Sequence, residues 1–454
     1  MKIINPANEE TLAELKEDTR ESVMKKFKSL KNGWRAWSET PVKERIAAIS
    51  RFDELLEKDK DELAETLTSE MGKPIRESYN ELNGARSRLK YFIEHSEKYL
   101  AEEWVTHEGS TKEKIVYEPL GVIANISAWN YPYLVGINVF IPALIGGNAV
   151  LYKPSEYSTL TGLHIQSLLY EAGIPENVFE TVIGRGAVGE YLLELPVDGY
   201  FFTGSYKTGR YIAEKVAPKL VPCQLELGGK DPMYVMDDVE NIASAAGAAV
   251  EGVVYNNGQS CCAVERIYVH ENIYDNFVDA YLQQLKKLKT GDPKDKSTEL
   301  GAISRKEQLA YLSDQVSDAV SKGATLLAGG KSIEGKGYYF EPSLLVNVNH
   351  EMKLMTEESF GPIVGIQKVR SDEEAVELML DTPYGLTAAV YSSSYERAEN
   401  VMKKMNTGTV YWNCCDRVSA GLPWSGRGNS GLGSTLSYQG IRAFVQPKAY
   451  HLRG

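Results

Sequence analysis

Four short segments carry residue types that can do chemistry: Trp129-Asn130-Tyr131-Pro132, Glu226-Leu-Gly-Gly-Lys230, Gly258-Gln259-Ser260-Cys261 and Glu358-Ser-Phe360-Gly-Pro362. A cysteine thiolate is a strong nucleophile and a good later leaving group. Glu226 sits in Cys-Gln-Leu-Glu-Leu-Gly-Gly, a mostly apolar run, where partial desolvation should raise a carboxyl pKa toward that of a base working near neutrality. Each segment also has an ordinary explanation: a turn asparagine before a proline, a strand-end carboxylate, a small buried thiol, a loop acid.

Glycine loops give weaker signals. The pattern G-x-G-x-x-G occurs at Gly184-Arg-Gly186-Ala-Val-Gly189 and at Gly426-Arg-Gly428-Asn-Ser-Gly431, in a chain with 39 glycines. The first lacks the acid expected at the end of the next strand and reads as a tight connection. More informative is Phe202-Thr-Gly204-Ser205-Tyr-Lys-Thr-Gly209, where a strand ends in a small polar turn and a helix starts. Unpaired amides there favour an anion such as a pyrophosphate, with Ser205 as a hydroxyl donor or simply as the helix cap.

The elements that must position these segments follow from hydrophobic spacing. Val23, Met24, Phe27 and Leu30 repeat at helical intervals, as do Ile46, Ile49, Phe52, Leu55 and Leu56 after Thr40-Pro41, which reads as a cap and first-turn proline. Gly72-Lys73-Pro74 ends that segment. From Gly121, short apolar strands at 122–127, 149–153, 179–183, 199–203 and 225–227 alternate with helices such as 161–172 and 206–216. A second series at 233–236, 266–270, 363–369, 388–391 and 410–412, with an Ala-rich helix from Ile242, follows Asp231. Alternation of this kind predicts α/β structure with two parallel sheets in tandem and a seam near Gly228-Gly229. Residues 113–118 read as an exposed strand outside the main core.

Composition bounds the function. In 454 residues, Lys plus Arg number 50 against 62 Asp plus Glu, a formal charge of −12, with no basic run to track a phosphate backbone. Nucleic acid and anionic membrane are therefore not expected as partners. The amino end has no apolar signal-like stretch, and the apolar run 116–151 is interrupted by Pro119, Asn125, Asn130, Pro132, Asn138 and Pro142. Five cysteines without C-x-x-C spacing predict a reduced, cytoplasmic protein with no metal site.

Taken together, in this order and spacing, the four segments resemble the NAD(P)-dependent aldehyde dehydrogenase superfamily, and the likeness extends over nearly the whole chain. The resemblance implies two Rossmann-like parallel-sheet domains, cofactor and catalytic, plus a small bridging sheet. It assigns 1–100 and 119–229 to NAD binding, 230–428 to catalysis, and 101–118 with 429–454 to oligomerisation. Cys261 would be the nucleophile and Cys262 its bystander. The Asn130 amide and the Cys261 N–H would form an oxyanion hole, and Glu226 would activate the water that hydrolyses a thioester. Trp129, Lys153, Glu156, Gly204, Ser205, Gly209, Glu358 and Phe360 would bind the cofactor. Glu156 favours NAD over NADP, because a carboxylate accepts from ribose hydroxyls and repels a 2′-phosphate.

Tyr131, Leu134, Val135, Asn138, Val418 and Trp424 would line the aldehyde tunnel, with Cys415 and Arg417 nearby. This mostly apolar set suits an uncharged aldehyde, whereas Arg417 would serve a semialdehyde carboxylate. A homodimer or dimer of dimers is implied, joined through 113–118 and 443–451. Departures from the usual pattern are Ala128 where proline is commoner, Ser425 and Arg427 in the tail, and no leading strand hairpin before Ile4-Asn-Pro6. The rival activity is acyl transfer to coenzyme A, against which a resident base at Glu226 argues; a non-catalytic binding protein is the third reading.

Overall fold

Helical spacing in the first hundred residues produces α1 (Arg20–Glu39), α2 (Val42–Lys58), α3 (Lys60–Met71) and α4 (Ile75–Leu100) in the computed structural model, which describes residues 1–107, 110–415 and 417–454. Val23, Phe27 and Leu30 face the core as their spacing predicts, but Met24 turns outward. Thr40 closes α1 rather than capping α2: its hydroxyl donates to the Ala36 carbonyl at 3.0 Å, and Pro41 leads α2 without a side-chain cap. Before α1, Lys2–Ile4 and Thr11–Glu14 pair antiparallel on either side of Asn5-Pro6, two short strands with no counterpart among those expected.

Continuous apolar runs bounded by turn residues become strands buried on both faces. Among the described residues the first sheet has six strands in the order Gly431–Leu432, Cys223–Glu226, Gly199–Thr203, Val122–Ile126, Ala149–Lys153, Phe179–Thr181. All pairs are parallel except the first. The crossovers are α5 (Pro132–Ile145), α6 (Thr159–Glu171), α7 (Gly186–Glu194) and α8 (Tyr206–Val216). The strand order reverses at Val122–Ile126, so the loop after it and the loop after Gly199–Thr203 leave the sheet in opposite directions. Such a switch point opens a crevice beyond the carboxyl ends of the strands.

Among the described residues the second sheet has seven strands, in the order Thr325–Ala328, Ser343–Val346, Ile363–Val369, Val264–His270, Asp231–Val235, Thr387–Tyr391 and Thr409–Trp412. Its first two strands have no counterpart in the sequence reading. Alternate residues of Asp231–Val235 feed separate buried clusters, Met233 and Val235 on one face and Tyr234 on the other. A third, antiparallel sheet joins Val445–Arg453, Thr111–Pro119 and Glu103–Thr106, and the expected strand at 113–118 lies within it. Residues 429–454 divide: Gly431–Leu432 completes the edge of the first sheet, and only Val445–Arg453 enters the small one. No described helix is long and apolar enough to cross a membrane.

Candidate active site

A cleft of about 860 Å³ opens at the crevice of the first sheet. Trp129, Asn130, Lys153, Glu156, Gly204, Ser205, Glu226, Cys261, Glu358 and Phe360 all line it. Ten positions scattered over 232 residues of chain are thus gathered on one wall system. Gly209 stands apart. It lies inside α8, where an added Cβ would be 2.4 Å from Leu227 Cδ2, so its small size lets α8 pack on the sheet.

The thiol is presented by an unusual turn. After α9 (Ile242–Val254), Asn256, Asn257 and Gly258 adopt successive left-handed conformations, with φ of 56°, 58° and 71°. Two such asparagines cost roughly 1–3 kcal/mol each and persist only if the surroundings hold them. Here the Asn256 amide N–H donates to Glu77 Oε2 at 2.8 Å, and its side chain donates to the carbonyls of Gln259 at 2.8 Å and Asn130 at 3.2 Å. Asn257 donates to the Ala302 carbonyl and accepts from the Gly301 N–H. The turn leaves Cys261 in the cleft wall and sends Cys262 into the core at 5% exposure.

Asn130 is held by its backbone and left open at its side chain. Its carbonyl accepts from Lys73 Nζ at 2.7 Å, and Lys73 is itself fully buried and paired with Glu81 at 2.6 Å. The other Glu81 oxygen takes the Tyr133 N–H at the start of α5. The Asn130 side chain makes no hydrogen bond to a described residue and remains available as a donor at the cleft. Lys73 and Glu81 escape a sequence reading because Gly-Lys-Pro looks like an exposed helix stop.

Glu226 ends its strand at the bottom of the cleft. Burial pushes its carboxyl up to about 7, opposed by a hydrogen bond from Thr435 Oγ1 and by the charge of Arg88. Glu358 is driven higher, to about 8, by burial and then by the charge of Glu265, while it accepts from the Gly229 N–H at 3.1 Å. Any side chain at Gly228 would collide with it, since a Cβ there would be 2.2 Å from Glu358 Oε1. The Ser359 and Phe360 amides both donate to Glu265, which is paired with buried Lys230 at 2.8 Å. This pairing holds Phe360 at a φ of 51°, with its ring edge-on to Trp129 at 5.3 Å.

Residues that could hold a dinucleotide occupy the rest of the wall. The Lys153 ammonium is buried and has one acceptor among the described residues, the Pro154 carbonyl at 3.3 Å; burial lowers its pKa. Ser155 donates to Glu156 at 3.3 Å. The Ser205 hydroxyl caps α8, accepting from Thr208 N at 3.4 Å, so the open groups there are backbone amides. Gly186 and Gly189, read from sequence as a tight connection only, also line the cleft. Among the described residues no cluster of His, Cys, Asp or Glu could hold a metal.

The residues expected to line the aldehyde tunnel are not in this cleft wall. Leu134 and Asn138 lie along α5, where the Leu134 carbonyl and Asn138 Oδ1 both accept from Arg88 Nη1, at 3.1 and 2.9 Å. The Lys73 ammonium lies 4.5 Å from the Tyr131 ring centre. Trp424 is buried in the first core, paired through its backbone with Thr435, and Val418 packs on the same core. Cys415 is buried under α9, 3.8 Å from the Ala248 carbonyl. Arg417 lies 3.6 Å from Glu251, with both side chains more than half exposed.

Comparison with known proteins follows the same lines. The model of the aldehyde dehydrogenase family matches residues 1–450. A succinate-semialdehyde dehydrogenase [NADP(+)] of Deinococcus radiodurans is 37% identical, covering 91% of this chain and 87% of its own length. The betaine aldehyde dehydrogenase of Bacillus subtilis is 33% identical over 98% of this chain and 92% of its own. Among solved structures, an E. coli NADP-dependent enzyme is similar with a TM-score of 0.97 at 30% identity, covering 100% of this chain and 94% of that one. The betaine aldehyde dehydrogenase of Staphylococcus aureus in complex with NAD+ has a TM-score of 0.96 at 31% identity, covering 100% and 92%.

Proposed function

Because this chain belongs to the aldehyde dehydrogenase family and is an NAD(P)-dependent aldehyde dehydrogenase, we propose that Cys261, Asn130 and Glu226 divide the oxidation into an addition and a hydrolysis. The observation that carries this reading is the meeting of a thiol, an uncommitted amide and a carboxyl with a pKa of about 7 in one cleft. Cys261 Sγ adds to the aldehyde carbon, and the alkoxide that forms is met by the Asn130 amide and the Cys261 N–H. A bound nicotinamide supplies the acceptor for the hydrogen that then leaves as hydride. Glu226 removes a proton from water as its oxygen attacks the resulting thioester, and Cys261 departs as thiolate with the acid released. The same carboxylate disfavours acyl transfer to coenzyme A, since a resident base delivers water first.

The unit of 1–100 and 119–229 holds the cofactor and 230–428 carries the nucleophile. Trp129, Lys153, Glu156, Gly204, Ser205, Glu358 and Phe360 fit a dinucleotide: a large cleft, open amides at the start of α8, and acids placed for ribose hydroxyls. Glu156 makes NAD the preferred form. Purified protein mixed with NAD or NADP and a panel of aldehydes should form reduced nicotinamide, with kcat/KM roughly tenfold or more higher for NAD. A preference for NADP would overturn the cofactor choice, and no reduction of either with any aldehyde would overturn the activity.

All five cysteines are free, which fits a reducing cytoplasm. The small sheet supports self-association: its outer strands leave unpaired edges, and Val105 and Leu452 are exposed on them. Sedimentation should show a species at least twice the 50.4 kDa chain. A monomer at micromolar concentration would contradict this.

A further inference from the structure

We propose that Arg88 selects the substrate by binding a carboxylate at the end of the aldehyde remote from the reacting carbon, which makes the substrate class ω-carboxy aldehydes, that is, semialdehydes. The inference rests on the aldehyde-oxidising reading above and assigns to Arg88 the anion-binding task that the sequence offers to Arg417.

Arg88 projects from α4 and is only 8% exposed. A guanidinium keeps its charge at any working pH, so burying it calls for an anion or a full set of acceptors. The other buried arginines meet this demand. Arg45 donates to the carbonyls of Ile145, Trp37, Ser38 and Thr40, and Arg266 to those of Lys230, Leu378, Met379 and Asp381 as well as the Tyr268 hydroxyl. Buried Lys73 and Lys230 each have a carboxylate. Arg88 has two neutral acceptors, the Leu134 carbonyl and Asn138 Oδ1, and both are taken by Nη1. No described carboxylate lies within 4.0 Å of it, and Nε and Nη2 make no hydrogen bond to a described residue. The edge left open is the one whose two parallel N–H groups match the oxygens of a carboxylate.

Its position fits this task. Leu134 and Asn138 are one turn apart on α5, the helix that starts just after Asn130. Gly84, one turn before Arg88 on α4, faces Leu134: a Cβ there would be 3.3 Å from Leu134 Cδ2. Arg88 therefore sits where α4 and α5 meet, along the helix leading away from the amide at the reaction centre. Arg88 and the Glu226 carboxyl influence each other electrostatically without forming an ion pair, so the guanidinium shares the neighbourhood of the proposed base. Asn138 then serves to orient Arg88, rather than only to line an apolar tunnel.

The test compares ω-carboxy aldehydes of several chain lengths with their methyl esters, in the wild-type protein, Arg88→Met and Arg88→Gln. At the best length the wild type should favour the free carboxylate by roughly 10- to 100-fold in kcat/KM, mainly through KM. Both variants should bring the ratio close to one. The ratio is insensitive to a general loss of rate, and Arg88→Gln keeps a donor for the α4–α5 contact should Arg88→Met fold poorly. Equal use of acid and ester by the wild type, or an unchanged ratio in the variants, would overturn the role of Arg88 and leave the oxidation intact. No reduction of nicotinamide with either compound would instead overturn the activity on which the inference rests.

Discussion

Cys261→Ala is expected to reduce steady-state aldehyde oxidation by at least about 10⁴-fold, the usual scale for deleting a covalent nucleophile. Cys262→Ala is the informative control, because it removes a chemically identical thiol one residue away. The strained turn at Asn256–Gly258 places Cys261 in the cleft wall and Cys262 in the core, where it lies 3.4 Å from the Ser260 hydroxyl. Cys262→Ala should therefore cost stability by leaving a small cavity while changing turnover only a few-fold. Mass spectrometry after a short incubation with aldehyde and NAD should find the acyl adduct on the Cys261 peptide. Turnover in Cys261→Ala, together with its loss in Cys262→Ala, would reverse the assignment.

The second large effect belongs to Glu226→Gln. The substitution keeps the shape and an acceptor for Thr435 but removes the base, so addition and the first round of hydride loss should survive. Stopped-flow traces should show a burst of reduced nicotinamide close to one per site, followed by a steady state slowed on the order of 10²- to 10⁴-fold. The pH dependence has a definite sign. With a pKa of about 7, Glu226 is mostly protonated below that value and idle as a base. If hydrolysis limits turnover, the wild-type kcat should fall about tenfold per pH unit below 7 and level off above it, while the variant loses that inflection. A lost burst with normal hydrolysis of a preformed thioester would place Glu226 in the addition step instead.

Much of this arrangement is legible before folding is considered. The runs Ala149–Lys153, Gly199–Thr203 and Ile363–Val369 are apolar and bounded by turn residues, and each forms a strand with the limits its pattern predicts. Ser343–Val346 is four residues long and Thr325–Ala328 is largely exposed, so neither has a pattern that differs from a loop; Ser343–Val346 takes its register from Ile363–Val369, and Thr325–Ala328 takes its own from Ser343–Val346. Buried charges are hidden for another reason. Arg88 and Glu81 lie on a helix with many charged residues, and only the packing of α4 on α5 separates them from solvated neighbours. Lys73 is disguised by its turn residues, Thr435 meets Glu226 across 209 residues of chain, and left-handed asparagines have no signature in composition. Arg417, which the sequence offers as a carboxylate handle, and buried Arg88 are likewise indistinguishable before folding, since a sequence does not state which arginine is enclosed.

The edge strand Gly431–Leu432 carries a consequence for biosynthesis. It pairs with Leu225 and Glu226, and it brings Thr435 to the base. During synthesis Asn130, Glu226 and Cys261 all leave the ribosome well before this segment. For that interval the nascent chain contains every reacting group, yet one edge of the first sheet is uncovered and the carboxyl of Glu226 lacks its hydroxyl partner. Closing so long a loop is slow compared with forming the local helices. The arrival of this strand therefore completes the first sheet late in synthesis, and it separates the appearance of the proposed nucleophile from the completion of the surroundings of the proposed base, with only the small sheet's Val445–Arg453 left to dock.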